Sequence, residues 1–361
     1  MTIAPRIDTA AVTPLTKRAT SRHFPARGET ALVIEASDSA DGVLFTGGAE
    51  CGIAARLTAA VDAASGRLDV TRPDGDHPTD ADVLAALIEA AFQSTPSLSR
   101  LELPGYARKP AIVGLCVETG RTADGVDCAV ITRSVFQQLP LLWRQAGAHA
   151  GYPAIRSSLG PADRLPVLRP AQPNGVIYRR WMPHLGMTLS LRTIDRRRDL
   201  DLFHHWMNQP RVAFFWELAQ SREELDRYLA EQEADPHLFG VIGSFDDEPV
   251  GYFEFYWAKE DRLGPHYEAE DFDRGWHGLI GNPRHLGRAK TLAWFRSLTH
   301  YLFLDEPRTQ RIVGEPRASH HKMLSYCADV AYDKVKEFDF PHKRAALVCC
   351  ERERFFREIA L

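Results

Sequence analysis

Apolar residues recur along this chain with two periods, and the switches between them mark out its elements. Residues 275–281 (GWHGLIG) are apolar enough for a buried strand, and 289–304 place Leu292, Phe295, Leu298, Thr299, Leu302 and Phe303 at helical spacing. Upstream, 188–194 alternates Leu189, Leu191 and Ile194 with polar neighbours, which predicts a strand. Helices are predicted over 199–207 and 221–234, the second opened by a capping box of Ser221 and Glu224. Strands at 238–245 and 249–257 flank the turn DDEP and form a hairpin, and a long loop, 258–274, follows. Beyond the helix at 289–304, the pattern gives a strand at 310–314, a helix at 319–330, strands at 334–340 and 344–350, and a short terminal helix.

The first half has shorter periods. Residues 1–29 have none and read as a loose leader. Strands are expected at 31–35, 42–46, 66–71, 98–103 and 111–117, with SDSADG and RPDGDHP as turns and a strand–helix pair over 128–143. Thr79 or Asp80 caps a helix whose apolar face is Val83, Leu84, Leu87, Ile88 and Phe92. His23 and His77 stand alone among polar residues and read as surface positions, so residues 30–150 form an α+β domain without a catalytic constellation. Five prolines between Pro153 and Pro173 predict extended chain over 151–175, leaving 176–361 as the second domain.

Composition narrows the possibilities. A chain of 361 residues suits two domains. Lys plus Arg number 44 against 48 Asp plus Glu, so no global basic field exists to hold nucleic acid. No apolar run is long enough for a bilayer and the N-terminus lacks a secretory core, which predicts a cytoplasmic protein with no membrane contact. Six cysteines without ligand spacing predict reduced thiols and no metal.

Between the strand at 275–281 and its following helix lies Arg284-His285-Leu286-Gly287-Arg288-Ala289. Such a turn aims free N–H groups and the positive end of the helix dipole at one spot, with cations beside it, and so suits a pyrophosphate. It resembles the R/Q-x-x-G-x-G/A motif of the GNAT acyltransferases, with Arg284, Gly287 and Ala289 in register, and the order of elements in the second half is the GNAT order. A closer resemblance is carried by the blocks HWMN from His205, GYFE from Gly251, WAKEDR from Trp257, GWH from Gly275, GEPR from Gly314 and KEFDFPHK from Lys336. These look like the signature blocks of siderophore N-acyltransferases, the N-hydroxylysine acetyltransferases and mycobactin-type lysine acyltransferases, over 188–358. The order of elements in 30–150 loosely echoes an acyltransferase half, as a degenerate copy would.

The resemblance implies an α+β GNAT fold and transfer of an acyl group from acyl-coenzyme A to an N-hydroxylated amine, making a hydroxamate. It implies other enzymes of siderophore assembly as neighbours. It also implies an active-site pair, His277 and Glu315. Two parted neighbouring strands would admit the thioester, with Glu315 as base and His277 as substrate binder or relay, the roles exchangeable. Backbone groups of Leu279, Ile280 and Gly281 would hold the oxyanion and the donor. Arg284, His285, Leu286, Gly287, Arg288, Ala289 and Lys322 would meet its phosphates. Where many GNAT enzymes carry a Tyr that protonates the leaving thiolate, this chain has Cys327, with Tyr326 one residue early.

Trp216, Glu254, Tyr256, Trp257 and Arg262, with Glu217, Lys259, Asp261 and Tyr267, would wall the acceptor slot beside His277, cations holding a carboxylate and acids an ammonium. Trp206, Phe214, Phe338, Phe340 and Leu347 read as core. Crowding by Trp276 favours acetyl-coenzyme A as donor, with succinyl or longer groups open. Hydroxylated lysine, ornithine and diamines are the candidate acceptors. The alternatives are an acetyltransferase for another amine, such as an aminoglycoside, and a non-catalytic GNAT-like binding module.

Overall fold

The computed structural model describes residues 17–25, 31–39, 41–47, 53–59, 63–71, 80–108, 118–144, 154–156 and 166–361. The expectations for Cys51, Cys116, His77, Thr79, the turn after Thr71, the strand at 111–117 and most of the leader lie outside them, as does 157–165 of the proline-rich stretch. The chain divides into two compact units. One takes in the described residues up to Phe136, and the other Gln137–Leu361 with Phe24 and Pro25.

The first unit is a sheet of β1 (Lys17–His23), β2 (Leu32–Ser39), β3 (Gly42–Gly47), β4 (Ala54–Thr58), β5 (Ser65–Thr71), β6 (Arg100–Pro104), β7 (Glu118–Arg121) and β8 (Asp127–Thr132). They lie in the order β1-β2-β3-β4-β5-β6-β8-β7. Helix α1 (Ala81–Ser94) crosses from β5 to the parallel β6, and α2 (Arg133–Phe136) is a single turn. The Asp80 carboxylate caps α1, accepting from the Asp82 and Val83 N–H groups at 2.9 and 3.2 Å. Two expectations are corrected here. The stretch read as leader contains β1, and His23, read as a surface residue, is buried against Ser21 because β1 pairs with β2.

The second unit repeats that order with β9 (Val176–Met182), β10 (Met187–Thr193), β11 (Leu238–Phe245), β12 (Glu248–Trp257), β13 (Arg274–Ile280), β14 (Arg311–Gly314), β15 (Tyr332–Phe340) and β16 (Lys343–Glu351). Between β10 and β11 run α3 (Arg196–Met207), α4 (Pro210–Trp216) and α5 (Arg222–Ala234). Helix α6 (Arg288–Asp305) crosses from β13 to β14, α7 (His321–Ala328) precedes β15, and α8 (Arg352–Glu358) ends the chain. The capping box of Ser221 and Glu224 forms as expected. So does the β11–β12 hairpin, where Asp246 and Asp247 take positive φ of 45° and 66°.

Strand parity sorts the side chains of the second sheet. Tyr252, Glu254 and Tyr256 share a face with His277 and Leu279, because Glu254 pairs with His277 across β12 and β13. Helices α3 to α5 cover that face through Phe203, Trp206, Met207, Leu225 and Leu229 packed on Tyr252 and Leu279. Phe253, Phe255, Trp257 and Trp276 point the other way, where Phe253 and Phe255 meet Trp294 and Tyr301 of α6. Helix α6 is buried on nearly every side beyond Leu292. Phe214, read as core, is 70% exposed, because the short α4 turns it away from the sheet.

Candidate active site

β13 and β14 pair in parallel at only two positions, Arg274 with Ile312 and Gly275 with Val313, and then part. Two residues further along each strand stand His277 and Glu315, their side chains meeting across the gap: His277 Nε2 lies 3.1 Å from Glu315 Oε1. On its other side His277 Nδ1 lies 3.3 Å from Glu254 Oε2, so the imidazole sits between two carboxylates. The Tyr256 ring is 4.6 Å from the imidazole, and Gly275 makes room for it: a Cβ there would stand 2.2 Å from the Tyr256 ring.

Both carboxylates are buried and fully engaged. Glu315 accepts from Arg262 at 2.8 Å, from Tyr256 at 3.4 Å and from Lys343 at 3.5 Å. Glu254 accepts from the hydroxyls of Tyr228 and Tyr252 and from Gln232 Nε2 at 3.0 Å. The charges follow from this cage. Burial works to strip His277 of its proton, but the Glu315 charge and the hydrogen bonds to both carboxylates prevail and raise its pKa to about 10. Burial likewise pushes Glu315 up, yet the charge and hydrogen bond of His277, with Lys343 and Arg262 behind them, hold it well below the usual carboxylate range. At neutral pH the array is carboxylate, imidazolium, carboxylate. Of the three side chains the imidazole is the most open, with 24% of its surface exposed against 9% and 2% for Glu254 and Glu315.

The structure therefore moves Glu254 from the acceptor slot to a place behind His277, where it holds the ring. Tyr228, Gln232 and Lys343 were missed. Tyr228 and Gln232 lie four apart on α5, beside the buried Leu225 and Leu229, and a polar pair at that spacing on an apolar stripe was the available signal. Trp216 stands 6.5 Å from the His277 ring, on the site face, while Tyr256 and Arg262 also lie at the array. Trp257 does not. Its ring is buried on the opposite face with the guanidiniums of Arg169 and Arg274 at 4.2 and 4.1 Å, so it cannot wall a slot at His277. Trp276 shares that far face and bonds Tyr332, which removes the crowding argument for a small acyl group.

At the other end of β13, Gly287 takes φ 130° and opens α6 with no side chain capping its first turn. A Cβ built on Gly287 meets nothing within 4 Å. The first-turn N–H groups of the helix are therefore not taken up by a side-chain cap among the described residues. Arg284 and Arg288 flank it, largely exposed and paired with Glu248 and Asp329. Leu286 and Ala289 are exposed in the same turn, and Lys322 lies exposed on α7 beside Tyr326. His285 is different: buried and 3.0 Å from Glu248 and from Lys290, it braces the turn rather than facing outward. The Gly281 N–H is spent on the Val250 carbonyl at 2.9 Å, and alternation along β13 sends the Leu279 N–H to the same side. Of the three groups expected to hold the oxyanion, only that of Ile280 faces the parted edge. Arg211 of α4 bonds the Ile280 carbonyl at 2.6 Å.

Among the described residues no group of three or more His, Cys, Asp and Glu is placed to hold a metal ion. Nor is any helix among them long and apolar enough to cross a membrane.

Comparison with known proteins agrees with this geometry. Residues 195–340 match the family model described as an acetyltransferase (GNAT) domain. The N(6)-hydroxylysine O-acetyltransferase of Escherichia coli is 39% identical over 285 residues, which span 77% of this chain and 86% of that protein. The hydroxyornithine transacylase SID3 of Ajellomyces capsulatus is 35% identical, spanning 79% of this chain and 74% of the relative. An uncharacterized protein of Bacillus halodurans with a solved structure is 28% identical and covers 51% of this chain and 93% of its own, with a TM-score of 0.48. The chain belongs to the GNAT acyltransferases. Within that superfamily it falls with the siderophore N-acyltransferases, the branch of its hydroxylysine and hydroxyornithine relatives.

Proposed function

We propose that this protein transfers the acetyl group of acetyl-coenzyme A to the hydroxylated nitrogen of N6-hydroxylysine or a closely similar hydroxylated amine, forming a siderophore hydroxamate in the cytoplasm. The observation that carries this reading is the Glu254–His277–Glu315 array at the point where β13 and β14 part. Support for hydroxylysine as acceptor and for acetyl as the group comes from the E. coli relative, whose name gives both while placing the group on oxygen; nitrogen as the acceptor atom is this reading's own. The open α6 N-terminus with Gly287, Arg284 and Arg288 suits the donor's pyrophosphate, and the free edge of β13 at Ile280 suits its pantetheine arm and the developing oxyanion.

The nitrogen lone pair attacks the thioester carbon, the carbon–sulfur bond breaks to release the thiolate of coenzyme A, and the nitrogen gives up one proton. A hydroxylated amine is largely neutral near pH 7, so it attacks without prior deprotonation. Once attached to the tetrahedral carbon the nitrogen is strongly acidic, and even a carboxylate of low proton affinity such as Glu315 can take its proton. His277 already carries its own proton and has both nitrogens engaged. Its part in this reading is to orient Glu315 and hold it charged.

The test is thiol release from acetyl-coenzyme A with N6-hydroxylysine, followed by the colour of the ferric complex. N-acylation gives a hydroxamate that chelates iron, whereas acylation on oxygen gives thiol release without the colour. Faster release with lysine or an aminoglycoside than with N6-hydroxylysine would overturn the reading.

A further inference from the structure

We propose that Asp261 is the residue that selects acceptors, by binding a second ammonium group on the hydroxylated amine. This rests on the function proposed above and names the substrate class more closely. The acidic side chains around the array are nearly all committed: Glu254 and Glu315 to the cage, Glu260 to Arg169, Asp271 to Lys259 and Arg156, Asp273 to Tyr267 and Arg311, and Glu217 to Arg317. Asp261 has no ion-pair partner among the described residues. One of its oxygens accepts the Leu263 N–H at 2.9 Å, and the other has no hydrogen-bond partner among the described residues.

Its position is fixed. The preceding Glu260 is held by Arg169 at 2.7 and 2.9 Å, the following Arg262 reaches Glu315, and the turn closes at Gly264, where a Cβ would stand 2.5 Å from the Lys259 carbonyl. The carboxylate lies close enough to His277, Glu315 and Arg262 to feel their charges, and its burial raises its affinity for a proton. An unpaired carboxylate in such a place is unfavourable alone and is relieved when a cation docks.

The cation comes from the acceptor. The donor's phosphates belong at the C-terminal end of β13, whereas Asp261 stands by its N-terminal end: its N–H bonds the Trp257 carbonyl at 3.2 Å, and Trp257 pairs with Arg274. Three residues of strand separate Arg274 from His277, about 10 Å at the usual rise. A chain of five carbons between two nitrogens is of that order. The hydroxylated nitrogen is neutral, so the charged group is the second amine, present in both a hydroxylated lysine and a hydroxylated diamine. Arg262 and Lys343 are already bonded to Glu315, and the carboxylate of an amino-acid acceptor is therefore not what this site reads.

The test compares four acceptors of one chain length: N6-hydroxylysine, N-hydroxycadaverine, 6-(hydroxyamino)hexanoate and N-hydroxypentylamine. The first two carry the second ammonium and should show kcat/KM about tenfold or more above the last two, the scale of one charge-assisted hydrogen bond. In Asp261→Asn that ratio should collapse toward one through KM, with Asp261→Glu keeping part of it and the acetyl-coenzyme A affinity of both variants showing that they fold. A ratio that survives Asp261→Asn, or a fall in kcat of equal size on all four acceptors, would overturn the proposal. A wild-type protein that acylates acceptors with and without the second ammonium equally well overturns the ammonium-binding role alone, and one that acylates none overturns the acyltransfer reading beneath it.

Discussion

In each unit five antiparallel strands run in chain order, a helix crosses to a parallel sixth strand, and the last two strands enter reversed. Each parallel ladder opens on two successive pairs, Ser65 with Arg100 and Gly66 with Leu101 in the first unit, Arg274 with Ile312 and Gly275 with Val313 in the second. Counting two residues on from these pairs leads to Leu68 and Leu103 in the first unit and to His277 and Glu315 in the second. The cross-strand partner of Leu68 is Leu57, as that of His277 is Glu254. By that count the first sheet has three buried leucines where the second has its Glu–His–Glu array. The parallel strands of the first unit also pair one position further, Arg67 with Glu102, where those of the second have parted. Nor do the described residues of the first unit include a helix between its second and third strands, which pair from Ser39 with Gly42 onward. Sheet topology is the shared part. Chemistry depends on which side chains fill three positions and on whether the strands are left free to separate.

The largest effect that would sharpen this contrast is at Glu315 and Leu103, which stand at the same count along their strands. Glu315→Gln should lower kcat by about 10²- to 10⁴-fold, the usual range for losing a positioned proton acceptor, while keeping acetyl-coenzyme A binding. Leu103→Gln puts the same amide into the other sheet, where it is buried without a partner. It should cost about 1–3 kcal/mol in denaturant unfolding and leave kcat within a factor of two. Equal losses of kcat in the two variants would break the comparison.

Next in size is the stability of the array. His277→Leu leaves two buried carboxylates facing each other and should destabilise by about 3–5 kcal/mol. Replacing all three residues by leucine, the composition of the first unit, should recover most of that loss, since apolar side chains of similar volume often replace a buried ionic group at no cost. Activity should stay absent. The dependence on pH has a definite sign. With a folded pKa of about 10 against 6.5, His277 contributes fully below about pH 6.5 and loses its contribution as pH rises toward 10. Glu254 and Glu315 are lowered, so theirs is present above their ordinary range and lost on acidification. The melting temperature of the wild type relative to the triple-leucine variant should therefore be greatest in mildly acidic solution and fall on either side. A difference that rises from pH 7 to 10 would refute the charged state assigned to His277.

How far the sequence could be read follows the same physics. In the second unit most strands and helices show clean periods, so the fold was legible, and the turn before α6 displays openly the Gly and cations from which the donor site is proposed. β9 was not. Ile177, Tyr178 and Arg180 are all buried there, which erases the alternation of a one-sided strand. α4 was missed because Phe214 and Phe215 face outward and leave no apolar stripe in so short a helix. Within the site, His277 and Glu315 were found through the resemblance, but Trp257 and Trp276 were placed as if every aromatic residue near the motif faced it. Strand parity, applied from Glu254 outward, would have put both on the other side. The cage of Tyr228, Gln232 and Lys343 comes from remote elements, and no local pattern announces it.

The smallest effect tests the helix that follows the fifth strand of each sheet. In the first unit Asp80 fills the N-terminus of α1 with its own carboxylate, and in the second Gly287 leaves the N-terminus of α6 open. Gly287→Asp would give the second helix what the first already has, an internal anion in the place proposed for the donor's pyrophosphate. Any side chain is strained at φ 130°, so Gly287→Ala is the proper reference, expected to cost about 1 kcal/mol of stability with no clash. Relative to that variant, Gly287→Asp should raise KM for acetyl-coenzyme A about tenfold, with kcat at saturation little changed and stability equal or slightly higher through the new cap. Raised ionic strength should narrow the gap, since screening weakens the repulsion between the added carboxylate and the phosphates. If the two variants instead share one KM, the α6 N-terminus does not meet the donor, and an open first turn would no longer distinguish the working sheet from the silent one.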